Sequence, residues 1–128
     1  MQILVFLSLF LISFIFPADF LYLWEPRTLQ CLSKGCKLSK NADQTGLSPA
    51  NCSFSGNSAE NVFVECDIEC DGAERDSVIS KKPTVYRYCN RFFTYNTRKT
   101  SDGKWTVWRN GTCANANITM TVHCAFPL

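Results

Sequence analysis

In the stretch NVFVECDIEC, residues 61–70, apolar and polar residues alternate with a period of two. Its even-numbered positions carry apolar side chains or cysteines, namely Val62, Val64, Cys66, Ile68 and Cys70. Apart from Phe63, its odd-numbered positions are polar or acidic. Successive side chains of a β-strand point to opposite faces, so this alternation predicts a half-buried strand. We expect its cysteines to face the core and Glu65, Asp67 and Glu69 to face solvent.

The segments that follow predict further strands. The last one alternates in the same way, since Ile118, Met120 and Val122 are separated by polar residues. Between the two lie segments rich in aromatic and β-branched residues, and the turn signal TSDG at 100–103 separates them as in a hairpin. The sequence therefore predicts an all-β or β-rich, small, disulfide-stapled domain with a four-stranded antiparallel meander, at about 61–70, 84–98, 104–109 and 117–124. The polar segment 38–60 predicts a long loop pinned at Cys52 and thus a loop-rich N-terminal third.

The acidic part of the opening stretch, ECDIECDG at 65–72, has the spacing with which a calcium loop begins. An EF-hand also needs a bidentate glutamate at its twelfth position, where this chain has Val78, so an EF-hand is excluded. A surface calcium site with other ligands stays an alternative. Carboxylates two residues apart on a strand lie about 7 Å apart, as in some glycosidase acid pairs. A general acid needs an enclosed site that raises its pKa, however, and these carboxylates are predicted on an exposed face.

All eight cysteines follow the apolar leader, and they are Cys31, Cys36, Cys52, Cys66, Cys70, Cys89, Cys113 and Cys124. This even count predicts a framework of up to four disulfides of undetermined connectivity. The usual zinc sites need closely paired cysteines and histidines, whereas His123 is the single histidine. Cys66 and Cys70 would lie about 13 Å apart on an extended strand, which is too far for a mutual bridge. We expect them to connect this strand to two other segments.

The apolar run at 3–16, followed by Pro17, Ala18 and Asp19, predicts a signal peptide at 1–18. Signal-peptide cores have roughly 7–15 apolar residues, whereas a membrane span needs about 20. An uncleaved anchor that continues to Trp24 is the alternative. The remaining residues 19–128 are predicted to form a single secreted, cysteine-rich domain.

Three N-x-S/T sequons, at Asn51, Asn110 and Asn117, predict N-glycosylation and agree with export. The sequon at Asn51 includes Cys52, and a disulfide at that cysteine could hide the asparagine before it is modified.

The formal net charge of +2 argues against a nucleic-acid partner. Seven of the eleven acidic residues lie at 60–76, and eight of the thirteen basic residues lie at 81–109. We expect these two segments to face and neutralise each other. Histidine-dependent catalysis would have to use His123, which the alternation places on a polar face. No catalytic residue, metal ligand or cofactor is therefore predicted.

Aromatic residues crowd the segment 86–108, where they are interleaved with arginines. Such an arrangement could stack on a sugar, although core packing accounts for most large rings in a small domain. Trp105 and Trp108 have opposite parity on one predicted strand, so at most one of them faces the core. The predicted ligand or partner face consists of Trp105, Trp108, Tyr86, Tyr88 and Arg109.

The pieces RTLQC, YRYCNRFFTYNTRK, GKWTVWRNGTC and NITMTVHCAF occur in this order between Arg27 and the C-terminus. In these pieces the chain resembles an uncharacterised family of small, secreted, cysteine-rich proteins found in nematodes. The resemblance implies an extracellular domain of unknown function and provides no catalytic residues to carry over.

Together these features predict a secreted, disulfide-stabilised, N-glycosylated binding protein that is not an enzyme. Its partner would be an extracellular protein or a glycan, and no membrane contact is expected after signal cleavage. One alternative is a secreted inhibitor or effector that acts through the 38–60 loop. Another is a small secreted hydrolase that uses the acidic cluster.

Overall fold

The computed structural model describes residues 21–33, 35–80 and 89–128, and it builds them almost entirely from β-strands. The strands are β1 (Tyr22–Leu32), β2 (Gly35–Ser39), β3 (Ser48–Pro49), β4 (Cys52–Ser55), β5 (Phe63–Asp67), β6 (Arg75–Ser80), β7 (Tyr95–Lys99), β8 (Trp105–Asn110) and β9 (Ile118–Pro127). A short 3₁₀ helix, Gly111–Asn115, connects β8 to β9.

The strands form two antiparallel sheets. One has the order β3-β2-β1-β9-β6, and the other has the order β4-β5-β8-β7. The longest pairing joins β1 and β9 over ten register positions, from Tyr22 opposite Pro127 to Cys31 opposite Ile118. The β-rich, disulfide-stapled class predicted from the sequence is therefore confirmed.

The predicted order of the strands is wrong in two respects. β8 pairs with both β5 and β7, so it lies between two strands that the predicted meander placed side by side. β9 belongs to the other sheet, where it pairs with β1 and β6. Alternation identifies the buried face of a strand but not its neighbour, and strands consecutive in sequence are neighbours only about two-thirds of the time. Of the predicted strand at 84–98, residues 84–88 lie outside the described part, and β7 begins at Tyr95.

The N-terminal third is not loop-rich, because β1 and β2 form a hairpin within it and β3 and β4 interrupt the predicted 38–60 loop. β1 contains Pro26, an unusual residue within a strand because proline cannot donate a hydrogen bond to a neighbouring strand. β2 covers only Thr28 to Leu32 of β1. Pro26 pairs with β9 alone, so β1 is an edge strand where the proline stands.

The buried side chains of both sheets form one hydrophobic cluster. Leu29 and Met120 contribute from the five-stranded sheet, and Val64 and Val107 contribute from the four-stranded sheet. The predicted inward positions of the opening stretch are buried, and they are Val62, Val64, Cys66, Ile68 and Cys70. Glu69 is exposed. The alternation at 61–70 therefore predicted the core face correctly.

All eight cysteines form disulfides, which pair Cys31 with Cys36, Cys52 with Cys66, Cys70 with Cys124, and Cys89 with Cys113. Cys66 bridges to β4, and Cys70, just after β5, bridges to β9 of the other sheet. The prediction that these two cysteines connect their strand to two different segments is confirmed. The Cys70–Cys124 bridge thereby joins the two sheets covalently.

A buried arginine holds the end of the opening stretch. Arg27 in β1 is 5% exposed, and its Nε and Nη2 donate to the carbonyl of Glu69 at 3.1 and 3.0 Å. Glu69 has a positive φ of 55°, and its backbone N–H donates to Oδ1 of Asp67 at 2.8 Å. The chain therefore leaves the strand in a tight turn that Arg27 fixes against the other sheet.

Among the described residues, no helix has the length and apolar character that crossing a membrane requires. The predicted signal peptide at 1–18 lies outside these residues.

Candidate functional site

The outer face of the four-stranded sheet carries polar and aromatic side chains from three neighbouring strands. Glu65 of β5 lies opposite Trp108 of β8, which in turn lies opposite Asn96 of β7. One step along the sheet, Thr106 lies between Asp67 and Arg98. Directly opposed residues of an antiparallel pair point to the same face, so these side chains share one surface.

A polar cleft of about 460 Å³ lies at one end of this face. It is lined by Asn51, Ser53, Glu65 and Asp67 from the β4–β5 side, and by Thr100, Ser101, Asp102, Lys104 and Thr106 from the β7–β8 side. Every lining residue carries a hydroxyl, an amide or a charge. We call this site the polar cleft.

An ion pair fixes the floor of the polar cleft. Arg98 donates from Nε and Nη2 to the two carboxylate oxygens of Glu65 at 2.5 and 2.6 Å, and the hydroxyl of Thr106 donates to the same carboxylate at 2.6 Å. The hydrogen bonds from Arg98 lower the pKa of Glu65, and partial burial opposes that effect. Hydrogen bonds to the charged form of a carboxylate favour ionisation, so Glu65 is an anion at neutral pH. This pair joins one acidic residue of 60–76 to one basic residue of 81–109, whereas mutual neutralisation of the two whole segments stays a prediction.

The wall opposite Glu65 is the predicted TSDG turn, which joins β7 to β8. Thr100 and Lys104 close the turn through a backbone hydrogen bond of 2.8 Å, and Gly103 adopts a φ of 85° that favours glycine. The Thr100 hydroxyl donates to the carboxylate of Asp102, and this hydrogen bond lowers the pKa of Asp102. The predicted hairpin turn is confirmed, and it presents an ionised carboxylate to the polar cleft.

Replacing Glu65 with glutamine should remove a small, pH-dependent contribution to stability. Because the folded-state pKa of Glu65 lies below its ordinary value of 4.5, this contribution is present above about pH 4.5 and is lost as the pH falls through the folded-state pKa. We expect a difference of about 0.5 kcal/mol between wild type and Glu65→Gln at pH 7, since Arg98 is half exposed, and no difference at pH 2. Urea unfolding from pH 2 to 7 measures it, with the exposed Glu60→Gln as the matched control. A difference that grows on acidification would contradict the assignment.

A stacked aromatic pair, Phe63 and Trp108, lies beside the polar cleft. The ring centroids are 6.2 Å apart with an interplanar angle of 16°, and both side chains are half-buried. Trp108 therefore lies on the outer face while Trp105 lies in the core, as their opposite parity predicted. We call Phe63 and Trp108 the aromatic pair.

The structure corrects the predicted ligand face at two residues. Trp105 is 8% exposed, and its indole Nε1 donates to the carbonyl of Ala73 at 2.7 Å. Arg109 is 1% exposed, and burial lowers its pKa to about 10. Both side chains share the inward face with Val107, since their parity on β8 is the same. The alternation along β8 contained this signal, because Trp105, Val107 and Arg109 are all odd-numbered. Tyr86 and Tyr88 lie outside the described residues.

The buried Arg109 guanidinium binds backbone carbonyls instead of a ligand. Its Nη1 donates to the carbonyls of Cys113 and Ala116 at 3.0 and 3.2 Å, and its Nη2 donates to the carbonyl of Ser33 at 3.0 Å. Ser33 belongs to the β1–β2 turn of the other sheet. Arg109 therefore connects the two sheets at the end distant from Ala73, and sequence reasoning missed this role.

Two acidic residues of the opening stretch, Glu65 and Asp67, line the polar cleft, whereas Glu69 lies outside it. Glu65 pairs with Arg98, Asp67 accepts from the backbone, and Glu69 forms an ion pair with Lys40 at 3.4 Å. In the described part of the chain, the one group of candidate metal-ligand atoms within 4.8 Å of one another comes from Cys36, Cys52 and Cys66. These three sulfurs belong to disulfides, so they cannot act as thiolate ligands.

The three sequon asparagines lie in different settings. Asn51 is exposed and lines the polar cleft, and Asn117 is exposed just before β9. Asn110 ends β8 and is half-buried. Glycosylation of each of them stays a prediction.

The comparison with curated proteins and the comparison with solved structures give no match. The family comparison gives one for residues 22–128, which include every strand of both sheets. The matching family is one of unknown function, as the resemblance implied, whereas nematode origin and secretion stay predictions. Since the match covers most of the chain, the protein belongs to the family described as a domain of unknown function, DUF7808.

Proposed function

We propose that this protein is a secreted, extracellular binding domain that holds a hydroxyl-rich ligand, a glycan, in the polar cleft without converting it. The observation that carries the proposal is the composition of the cleft wall. All of its side chains are polar; they include three carboxylates and one ammonium, and Arg98 of the neighbouring strand pairs with one of the carboxylates.

The charges on the cleft wall favour a polar ligand without negative charge. Glu65, Asp67 and Asp102 contribute negative charge, Lys104 contributes positive charge, and Arg98 neutralises Glu65 from the neighbouring strand. An anionic ligand would be repelled by the remaining carboxylates, and an apolar ligand would leave these groups desolvated and unpaired. A glycan brings many hydroxyls, which both donate to carboxylates and accept from amide and ammonium groups. The volume of about 460 Å³ lies within the usual range of small-ligand sites.

The ionisation of two of the cleft carboxylates supports binding without catalysis. A glycosidase needs one carboxylic acid with a raised pKa to protonate the leaving group. The pKa values of Glu65 and Asp102 are both lowered, by hydrogen bonds from Arg98 and Thr100 respectively. Ionised carboxylates are suited to accept hydrogen bonds from ligand hydroxyls.

Four features support export. The described domain contains four disulfides, which form and persist mainly in oxidising compartments and are compatible with an extracellular protein. The apolar leader at 3–16, the three sequons and the even number of cysteines agree with the same destination.

A glycan array probed with the full chain tests the proposal; the chain is produced in the oxidising bacterial periplasm, so that its disulfides form and no glycan at Asn51 blocks the cleft. We expect a restricted set of neutral glycans to bind. Calorimetric titration with the tightest of these should show at least a tenfold weaker affinity for Asp102→Asn, because a charge-assisted hydrogen bond contributes about 1.5–3 kcal/mol. Asparagine keeps an oxygen that can accept from Thr100, so the turn itself should persist.

The matched control is Asp71→Asn, which removes the same charge from an exposed position outside the cleft. Equal affinity losses in the two variants would show that the loss results from the change in overall charge and not from a contact of Asp102 with the ligand. An array without binding to any neutral glycan, or release of shortened glycan during the titration, would overturn the proposal.

A further inference from the structure

We propose that Asn110 carries an N-linked glycan whose first sugar packs on the aromatic pair, Phe63 and Trp108. The inference rests on export through the secretory pathway, which is part of the proposed function, but not on the ligand of the polar cleft. It assigns the aromatic pair to the glycan of the chain itself.

The sheet register places Asn110 beside both rings. Asn110 of β8 lies directly opposite Phe63 of β5, and such pairs have Cβ atoms about 4.5–5.5 Å apart on one face. Trp108 precedes Asn110 by two residues on the same strand, so its side chain points to the same face at about 7 Å. Asn110 therefore stands at the border of the stacked pair.

The aromatic pair offers a flat surface that the described residues leave partly uncovered. The two rings are nearly parallel and half-buried, although each belongs to the residue types that a small domain usually buries. One face of an N-acetylhexosamine ring is made of C–H groups, and covering an aromatic surface with such groups removes apolar area from water. The first sugar of an N-glycan is the group that the covalent bond delivers to this surface.

The side chain that would carry the glycan is already oriented. The backbone N–H of Asn110 donates to the carbonyl of Thr94 at 2.9 Å, and its Nδ2 donates to the carbonyl of Phe93 at 3.3 Å. Glycosylation replaces one of the two hydrogens on Nδ2, so the remaining N–H can keep the bond to Phe93. Thr112, the third residue of the sequon, is exposed. The amide that would carry the sugar is therefore held in place by the segment that precedes β7.

The other two sequons lack this arrangement. At the Asn110 sequon, the residue two positions before the asparagine is Trp108. The corresponding residues are Pro49 at the Asn51 sequon and Asn115 at the Asn117 sequon. A glycan at Asn51 would occupy the polar cleft, because Asn51 lines it. Asn117 therefore provides a control glycan, attached to an exposed position without a ring two residues before it.

The experiment uses the full chain expressed in secretory eukaryotic cells, with glycopeptide mass spectrometry to measure occupancy at each sequon. We expect Asn110 to be occupied. Thr112→Ala removes that sequon and keeps the Asn110 side chain, and it should lower the melting temperature by about 4 °C. Asn117→Gln should lower it by less than about 1 °C. In a Phe63→Leu background the loss caused by Thr112→Ala should shrink by at least about half, since the glycan then has only one ring to cover.

Bare Asn110 in the secreted protein would overturn the inference, and so would an equal effect of Thr112→Ala in the Phe63→Leu background. Neither of these results would contradict secretion of the protein. A chain that is retained in the cells but glycosylated at Asn110 would instead contradict secretion and support the proposed glycan at Asn110. The failure of the inference and the failure of the proposed function are therefore distinguishable.

Discussion

Replacing Arg109 with methionine should lower the free energy of unfolding by about 3 kcal/mol or more, because it leaves several buried carbonyls without a donor. The guanidinium donates to the carbonyls of Ser33, Cys113 and Ala116 and is 1% exposed. Methionine keeps most of the side-chain volume, so a cavity contributes little to the loss. Urea unfolding at neutral pH, followed by circular dichroism, measures the change.

Arg109→Lys should recover only part of this stability. Lysine has one compact ammonium group, whereas the two terminal nitrogens of the arginine guanidinium donate to carbonyls of two different segments. The matched control is Arg91→Met, since Arg91 is half-buried and donates to Asn96 at 3.4 Å, and it should cost less than about 1 kcal/mol. Buried charges can be replaced by apolar residues without loss when all the partners are removed with them. A neutral or stabilising Arg109→Met would therefore show that the three carbonyls find other donors, and it would contradict the role assigned to Arg109.

Removing the Cys70–Cys124 bridge by a double alanine substitution should cost about 4 kcal/mol, the largest effect among the four disulfides. The bridged cysteines are 54 residues apart in sequence, compared with 5 for Cys31 and Cys36. A longer closed loop removes more conformational entropy from the unfolded chain, and the same relation gives about 2 kcal/mol for the shorter bridge. This bridge also joins the two sheets, so its loss weakens their packing as well.

Thermal and urea unfolding of the two double-alanine variants provides the comparison. Cys31→Ala with Cys36→Ala is the matched control, because all four of these cysteines are at most 6% exposed and lose the same atoms. An equal or smaller effect at Cys70–Cys124 would mean that the packing of the sheets restrains the chain without the covalent link.

The core face of the protein could be predicted from sequence where apolar and polar residues alternate. At 61–70 the alternation identified the buried positions, and Cys66 and Cys70 could be excluded as mutual partners by distance alone. The turn at 100–103 was recognised from its residues, since Gly103 permits the positive φ that the turn requires.

Strand pairing could not be predicted, because alternation contains no information on the neighbour. β1 was not predicted. Pro26 fits a strand only where no neighbouring strand needs its missing N–H, and whether β1 has such an unpaired edge depends on how far β2 extends. The pairing of β9 with β1 brings together segments at opposite ends of the described chain.

The polar cleft could be anticipated only in part. The acidic stretch and the TSDG turn were visible, but they meet with Asn51 and Ser53 only because β8 lies between β5 and β7. Arg109 was predicted on the ligand face because arginines are interleaved with the aromatic residues, and the carbonyls that bind it come from two segments distant in sequence.

The most direct measurement of the central claim is a ¹⁵N chemical-shift titration of the protein with the tightest glycan from the array. Saturable shifts should concentrate at 51–53, 65–67 and 100–106, which line the polar cleft, and they should be weaker in Asp102→Asn. Saturable shifts centred on Phe92 and Phe93, which are exposed at 66% and 78%, or on the five-stranded sheet would contradict the assignment of the ligand to the polar cleft.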